Sequence, residues 1–229
     1  MSGSSVVGPA EVLGELLDER RSCRAFLPEP VPHEVIERIL GLAQRTPSWC
    51  NTQPWQVAIT EGEATERFRK GLAAYVRSSP QEPDIAFPRE YRGVYQERRK
   101  ECALQLYTSV GITPGDRAAS AEQTMKNFDL FEAPHVAIIT TDEALGTYGA
   151  VDCGLYVNTF LLAAQSLGVA TIPQAALAGS SPYVRDFFGI PEGRKILCAI
   201  SFGYVDDSDA ANAFRTTRAD VESVVTWAR

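Results

Sequence analysis

Apolar side chains recur with helical spacing in two stretches of the first fifty residues. Residues 10–20 predict an amphipathic helix, whose apolar stripe consists of Val12, Leu13, Leu16 and Leu17. A second helix is expected to begin near Pro32, which suits a first helical turn, and to end at Thr46, because Pro47 disfavours helical angles in the preceding residue. The apolar stripe of this helix consists of Val35, Ile36, Ile39, Leu40 and Ala43.

Short apolar runs farther along the chain predict strands, and longer patterned segments between them predict helices. The strands are expected at residues 55–60, 135–141 and 195–205, with one more short strand at the start of 171–179. The helices are expected at residues 63–78, 91–111, 116–131 and 146–168, the last one closed by Gly168. Residues 79–90 are rich in proline and predict a loop, and an apolar run near the C-terminus suits a further strand.

The order of these elements predicts one domain of the α/β or α+β class over residues 1–229. Strands alternate with helices, and the sequence contains no internal repeat and no linker that would divide it. The helix at 146–168 is apolar on nearly every side, so we expect it in the core or at a subunit interface.

Composition narrows the class of protein. A chain of 229 residues with 45% apolar residues is ordinary for one globular domain, and a net charge of −7 argues against a surface for nucleic acid or for an anionic membrane. The five cysteines are widely spaced and include no C-x-x-C pair, which predicts reduced thiols and a cytoplasmic protein. The sequence shows neither a signal peptide nor an apolar run long enough to cross a bilayer.

Motifs for several kinds of catalytic site are missing from the sequence. It has no G-x-G-x-x-G, no P-loop and no G-x-S-x-G elbow. The two histidines, His33 and His135, stand at the start of a predicted helix and of a predicted strand, which favours capping or structural roles over a triad or a metal site. An enzyme of this sequence would therefore rely on a bound cofactor, with no protein catalytic residue and no metal ligand predicted.

The segment "ERRSCRAF", residues 19–26, concentrates positive charge in an otherwise acidic chain. If the first helix ends near Arg20 and the chain becomes extended, Arg20, Ser22 and Arg24 point to one side and can surround a phosphate with charge-assisted hydrogen bonds. The alternative is that these cations only complement the negative end of a helix. The segment alone leaves both interpretations open.

Three further segments offer groups that bind ligands, each with a structural alternative. Residues 46–55, "TPSWCNTQPW", present hydroxyl and amide groups suited to sugar hydroxyls or a heterocycle edge, although the same residues are common in turns. The small residues of 171–179 allow close backbone approach to a flat ligand, or simply a tight connection. Arg215 and Arg218 add positive charge, or belong to a solvated surface.

The four segments together resemble the nitroreductase-like flavoprotein family over residues 12–227. The matches to R-R-S-x-R-x-F and P-S-x-x-N-x-Q-P-W are specific, and the segments follow one another in the order and approximate spacing of the family. The resemblance implies an α+β fold, a nitroreductase-like sandwich with a central, mostly antiparallel sheet flanked by helices. It also implies an intertwined homodimer that binds FMN at its interface.

The same resemblance assigns FMN-binding residues by position. Those that face the phosphate, the ribityl chain and the pyrimidine edge are Arg20, Arg21, Ser22 and Arg24. Those of the second segment, which usually comes from the partner subunit, are Pro47, Ser48, Asn51 and Gln53. Those whose backbone lies along the isoalloxazine ring are Pro173, Gln174, Ala175 and Ala176. Arg218, together with Arg215, matches the basic C-terminal position at the phosphate, and Asn127 resembles a polar position near the pyrimidine edge.

The activity implied by the resemblance is FMN-dependent oxidation of NADPH or NADH coupled to reduction of a nitroaromatic or quinone-like acceptor. Donor and acceptor would occupy the same flavin face in turn, in a ping-pong scheme. Basic groups near the pyrimidine edge would favour the negative charge of the reduced flavin. Three alternatives stay open: a flavin reductase, an FMN-dependent dehydrogenase or oxidase acting on another substrate, and a non-catalytic flavin-binding protein.

Two regions depart from a minimal member of the family. Trp49 replaces a smaller residue and either narrows the pocket or packs structurally, and Cys50 is either oxidation-sensitive or a buried, inert thiol. The helical excursion at about 75–131 resembles the nitrobenzoate-reductase-like branch, in which it covers the active site. Its aromatic residues and arginines either suit a flat, anionic acceptor or pack the excursion onto the domain. The C-terminal arm is expected at about 206–229.

Overall fold

A computed structural model describes residues 8–228 of the chain. Its centre is a four-stranded sheet, formed by β1 (Gln56–Thr60), β2 (His135–Asp142), β3 (Ala170–Gln174) and β4 (Arg194–Gly203). The spatial order is β1-β2-β4-β3, and each neighbouring pair is antiparallel. The predicted antiparallel sheet of an α+β fold is therefore confirmed.

Seven α-helices surround the sheet in the described part of the chain. They are α1 (Pro9–Glu19), α2 (His33–Ala43), α3 (Glu63–Ser78), α4 (Val94–Ser109), α5 (Arg117–Met125), α6 (Gly146–Ser166) and α7 (Ser181–Phe188). In residues 8–228 no helix combines the length and the apolar character that spanning a membrane requires.

The sheet separates two apolar cores, because successive residues of a strand point to opposite faces. Ile138 of β2 packs with Phe68 and Leu72 of α3, whereas its neighbour Ile139 packs on the other face, in the core that contains Phe160 of α6. All five side chains are fully buried. Each contributes about 1.5–3 kcal/mol by leaving water. The two cores make the molecule a three-layer sandwich.

Helix α6 is only partly covered by this chain. One face of α6 lies in the core and includes Tyr156 and Phe160, as the apolar sequence predicted. The opposite face leaves Tyr148 61%, Val151 53% and Leu155 47% exposed. The apolar stripe of α1 is likewise open to solvent, because no residue of α1 is buried.

Several sequence-based boundaries need correction. The helix predicted at 116–131 ends at Met125, and the chain then passes through Leu130, Phe131 and Glu132 with left-handed backbone angles. Phe128, Leu130 and Phe131 are all buried. A helix that continued would place positions 128 and 130 on different faces, so burying all three side chains requires the irregular turn.

Two other differences concern the last third of the chain. Helix α7 was not predicted, because its eight residues begin with a serine and a proline and resemble a connection. The apolar run near the C-terminus, residues 224–227, follows a single 3₁₀ turn, Val221–Ser223, and adds no strand in the described residues. The apolar side chains of this run are exposed.

Candidate functional site

The arginine-rich segment leaves the first helix just where an extended chain was expected. Helix α1 ends at Glu19, and Arg20 already has extended backbone angles, φ −60° and ψ 121°. The segment then runs beside β3, where Ser22 pairs in parallel with Thr171 and the Cys23 amide donates to the Thr171 carbonyl at 3.0 Å. This anchoring to the sheet edge fixes the direction in which the side chains of the segment point.

The C-terminal arm returns to the same place and completes a basic cavity. The cavity has a volume of ≈ 270 Å³, and its basic residues are Arg20, Arg21, Arg24, Arg215 and Arg218. Phe214 lies against the guanidinium of Arg24, whose Cζ is 5.3 Å from the ring centre. The structure thus brings together both groups of arginines that the sequence predicted, although almost 200 positions separate them in the chain.

The electrostatics of this cavity favour an anion. Burial lowers the pKa of Arg20 from its ordinary value, and repulsion from the Arg218 guanidinium lowers this pKa further. Burial also lowers the pKa of Arg24. Arg21 forms a salt bridge with Asp207, yet its Nε is buried and has no hydrogen-bond partner within residues 8–228. An anion with several oxygens would relieve the repulsion and supply acceptors.

A second cavity of ≈ 260 Å³ adjoins the first, and Ser22 and Arg24 belong to the walls of both. Pro173, Gln174, Ala175, Ala176 and Asn127, which the sequence predicted as FMN-binding residues, line this second cavity. Residues from the helical excursion also line it; they are Leu106, Tyr107, Gln123 and Thr124. The combined space is basic at one end and lined by small residues, amides and an aromatic ring at the other.

Gln174 and Asn127, which both line the second cavity, are hydrogen-bonded to each other. Nε2 of Gln174 donates to the backbone carbonyl of Asn127 at 2.9 Å, and Oε1 of Gln174 accepts a bond of 2.5 Å from the Ser201 hydroxyl. Gln174 is only 3% exposed, so its side-chain amide is engaged within the protein. Pro173 and Ala175 are exposed and line the cavity, so a ligand there would meet these two residues.

The left-handed turn after Asn127 is tied to helix α3. Arg69 donates from Nη2 to the Ala133 carbonyl at 2.7 Å and lies with Nε 3.7 Å from the Asp129 carboxylate. Burial raises the pKa of Asp129, and the nearby Arg69 opposes this rise. These contacts hold Phe131 in the wall of the second cavity despite the cost of its backbone angles.

The segment around residue 50 lies apart from both cavities. Pro47, Ser48, Asn51 and Gln53 form no part of either wall. The segment is instead fastened to α6, where both carboxylate oxygens of buried Asp152 accept from the Trp49 amide at 3.2 Å and the Trp49 ring meets Tyr148 edge-on at 4.5 Å.

Local contacts support an unusual backbone in this segment. Cys50, Asn51 and Gln53 all have positive φ values, of 52°, 55° and 46°. The Ser48 hydroxyl accepts from the Gln53 amide at 2.9 Å, which closes the turn. Strain of this kind persists only where surrounding contacts enforce it, and it is frequent at binding sites.

The side chains of this loop are presented outward. Trp49 is 60% exposed, and the Cys50 thiol is exposed rather than buried. Within this chain, Trp49 therefore neither narrows the cavities nor fills the core.

Two residues with clear positions in the site went unrecognised in the sequence. Asn212 joins the arginine-rich segment to the C-terminal arm through its side chain. Asp152 holds the loop of residues 47–53. Neither belongs to a spacing pattern, because each acts across more than 100 positions of the chain. The one available signal in the sequence was that each of these two polar residues stands between apolar neighbours.

Comparison with known proteins agrees with this geometry. The family model described as "Nitroreductase family" matches residues 17–204. Nitroreductase NfnB of Mycolicibacterium smegmatis is 34% identical over 223 residues, covering 96% of this chain and 94% of that protein. A 4-nitrobenzoate reductase of Pseudomonas putida is 33% identical, covering 87% and 88%. The crystal structure of the FMN-dependent nitroreductase NfnB from Mycobacterium smegmatis in complex with NADPH aligns with a TM-score of 0.93 at 33% identity, covering 97% of this chain and all of that one.

Proposed function

Because this chain belongs to the nitroreductase family, we propose that it is an FMN-dependent NAD(P)H oxidoreductase that reduces nitroaromatic compounds. The observation that carries the proposal is the pair of adjoining cavities, which meet at Ser22 and Arg24. One end supplies several guanidinium groups for a phosphate, and the other end offers open backbone for a flat ring. The relatives named as nitroreductases and the NfnB structure with NADPH support the same assignment.

The residues of this chain fit FMN. The orphaned Nε of Arg21 and the repulsion between Arg20 and Arg218 both call for an anion, which the FMN phosphate would supply. Arg215 and Arg218 would hold the phosphate from the C-terminal arm, and the segment Pro173–Ala176 would face the ring system. When bound, FMN supplies the hydride chemistry between NAD(P)H and a nitroaromatic acceptor in a ping-pong scheme.

The chain itself contributes binding, orientation and electrostatics. Arg24 lines both cavities, and its charge would favour negative charge on a bound flavin. The Gln174–Asn127 contact holds the second cavity in shape. This division of labour agrees with a sequence in which no residue was predicted as a catalytic acid or base.

We further propose that the functional unit is a homodimer with FMN at its interface. The exposed apolar side chains of α1 and α6 form a surface of the kind that partners cover, and the C-terminal arm exposes further apolar residues. The loop that carries Pro47, Ser48, Asn51 and Gln53 projects from α6 and would enter the partner's site. The cytoplasm is the compartment that suits five free cysteines.

The helical excursion is proposed to select the acceptor. The second cavity is lined by Tyr107 of α4 and by Gln123 and Thr124 of α5, as well as by Pro173–Ala176. An acceptor on a bound flavin would therefore meet the side chains from the two helices. An aromatic ring and two polar groups suit a flat compound with a nitro or carboxylate substituent, or a quinone-like acceptor.

Anaerobic stopped-flow absorbance of the FMN-loaded protein tests this function. Mixing with NADPH or NADH should bleach the flavin band, and adding 4-nitrobenzoate should restore it. Bleaching without recovery by nitroaromatics would favour a flavin reductase. An absence of bleaching with either nucleotide would exclude the proposed activity and favour an FMN-dependent dehydrogenase or oxidase, or a flavin-binding protein without turnover.

A further inference from the structure

The side chain of Asn212 makes three hydrogen bonds, two of which connect the C-terminal arm to the arginine-rich segment. Its Oδ1 accepts from the Arg24 amide at 2.7 Å, and its Nδ2 donates to the carbonyls of Ala25 at 2.9 Å and Asp206 at 2.8 Å. Asn212 is 4% exposed, so these bonds are shielded from water. A side-chain amide has one acceptor and two donor hydrogens, and here each type of group is used.

The backbone of Asn212 is held as firmly as its side chain. It ends a short 3₁₀ turn, Ala210–Asn212, which Asp209 caps by accepting from the Ala211 amide at 2.7 Å. The carbonyl of Asn212 accepts from Nη1 of Arg215 at 3.0 Å. One residue therefore contacts Arg24 through its side chain and Arg215 through its main chain.

Asn212 lies behind the basic cavity rather than in its wall. Arg24, Phe214 and Arg215 line the cavity, whereas Asn212 does not. It therefore reaches a ligand only through its neighbours. This arrangement separates the groups that would contact a phosphate from the group that sets the distance between them.

We propose that Asn212 is the positioning residue of the phosphate site, which sets the spacing between Arg24 and the arginines of the C-terminal arm. This inference rests on the proposed function, because it assumes that the basic cavity holds the FMN phosphate. Charge-assisted hydrogen bonds to phosphate are short and depend on geometry, so a shift of one segment against the other weakens several of them together.

The experiment compares binding of FMN and of riboflavin, which lacks the phosphate, by quenching of flavin fluorescence in the apoprotein. Asn212→Ala should weaken FMN binding by about tenfold or more, because it removes hydrogen bonds that align the phosphate ligands. Riboflavin binding should change by less than about threefold, since Asn212 bonds to only one residue of the second cavity, Arg24, and only to its main-chain amide. The ratio of FMN affinity to riboflavin affinity therefore falls.

The matched control is Thr65→Val. Thr65 is 1% exposed, and its hydroxyl also makes two buried contacts, to Thr60 Oγ1 and to the Pro134 carbonyl, both at 2.9 Å. Thr65 lines neither cavity. Its substitution should lower the melting temperature while FMN and riboflavin affinities stay within about twofold of the unmodified protein. A purely structural role of Asn212 would give this same pattern.

Two results would overturn the inference. One is an Asn212→Ala variant that binds FMN within twofold of the unmodified protein, and the other is an equal loss for FMN and riboflavin. If Asn212→Ala does not fold, Asn212→Ser, which keeps a smaller donor and acceptor, is judged by the same criteria. Failure of the proposed function is seen separately, because it appears as missing flavin reduction in stopped-flow absorbance, or as an unmodified apoprotein that binds no FMN at all.

Discussion

The basic cavity and the loop of residues 47–53 differ in how far a single chain completes them. The five arginines converge although they come from opposite ends of the chain, and Asn212 joins the segments that carry them. The loop has a backbone just as specifically shaped, but its exposed side chains form no part of the walls of either cavity. Both regions matched the same family pattern in the sequence. The difference teaches that a sequence motif does not show whether its residues converge within one folded chain.

Removing charge from the basic cavity should give the largest effect. Arg20→Ala combined with Arg218→Ala removes two cations that would share the phosphate, and FMN affinity should fall by about 100-fold or more, which fluorescence quenching measures. Arg38 and Arg67 lie exposed on α2 and α3 outside the cavity, so alanine substitution there should leave FMN affinity unchanged. Equal losses from both pairs would mean that only net charge matters.

Placing a charge on α6 should separate the two copies. Leu155→Glu introduces a carboxylate into the exposed apolar face of the helix, where a partner would have to bury it. Light scattering should show a monomer, and FMN should be released because the loop of the second copy is lost. Ile85→Glu, at a comparably exposed apolar residue outside α1 and α6, serves as the control and should stay dimeric. A dimeric Leu155→Glu variant would contradict the proposed interface.

Releasing the loop should have a smaller effect. Asp152→Ala removes the carboxylate that accepts from the Trp49 amide, and FMN affinity should fall by about tenfold. Asp142→Ala is the control, because Asp142 also accepts from one backbone amide, that of Ala144, but caps a turn away from the loop. Its FMN affinity should stay unchanged.

Mixed dimers sharpen this prediction by asking which subunit the loop serves. One subunit carries Asp152→Ala, and the other carries both arginine substitutions. If the loop enters the partner's site, one of the two sites receives both defects and the other receives none, so half of the flavin binding returns. If the loop served its own subunit, each site would carry one defect and no site would bind FMN with the affinity of the unmodified protein.

Acid should weaken the fold through His135, which belongs to neither region. The Val31 amide donates to Nε2 of His135 at 3.0 Å, so the ring proton must lie on Nδ1, which is 3.2 Å from the Thr60 carbonyl. Burial lowers the pKa of His135 below its ordinary value. A lowered pKa means that the unfolded chain binds the proton first as pH falls. The contribution of neutral His135 to the free energy of unfolding is therefore complete above about pH 6.5. Below that pH it declines, by at most about 1.4 kcal/mol per pH unit.

Urea unfolding between pH 5 and pH 7.5 measures this effect. His135→Gln should flatten the loss of unfolding free energy on the acid side. His33 gives a control of opposite sign, because its hydrogen bond with Glu61 raises its pKa, so any contribution is present at low pH and is lost as pH rises. His33→Gln should therefore leave the acid-side loss in place. If the free energy of unfolding of His135→Gln fell with acid as steeply as that of the unmodified protein, the acid sensitivity would come from another group.

Local patterns were enough to predict most of the secondary structure. The spacing of Ile36 and Ile39 indicated α2, and the apolar run at His135–Asp142 indicated a buried strand. The family resemblance then placed Arg20, Arg218 and Pro173 in one site, and the structure gathers them. The proposed binding roles of these residues stay predictions until the measurements above are made.

Other features could not be read from the sequence, because they depend on contacts between distant positions. The left-handed turn at Leu130–Glu132 is imposed by burial of its neighbours and by the hydrogen bond from Arg69 to the Ala133 carbonyl. No residue type in the turn predicts it. Asn212 and Asp152 look like ordinary polar residues until the chain folds around them. The outward position of the loop likewise depends on a distant contact, the one between the Trp49 amide and Asp152.

The return of the C-terminal arm to the first helix sets the order of events during synthesis. A ribosome releases Arg20 early, whereas Arg218 emerges almost 200 residues later, and both line the same cavity. The sheet and both cores use strands that end at Gly203, so they can form before the arm is free. A cofactor that needs the complete basic cavity can therefore bind only after the sheet and the two cores have formed. A nascent chain halted before residue 212 would fold around an incomplete phosphate site and would be released as a pale apoprotein.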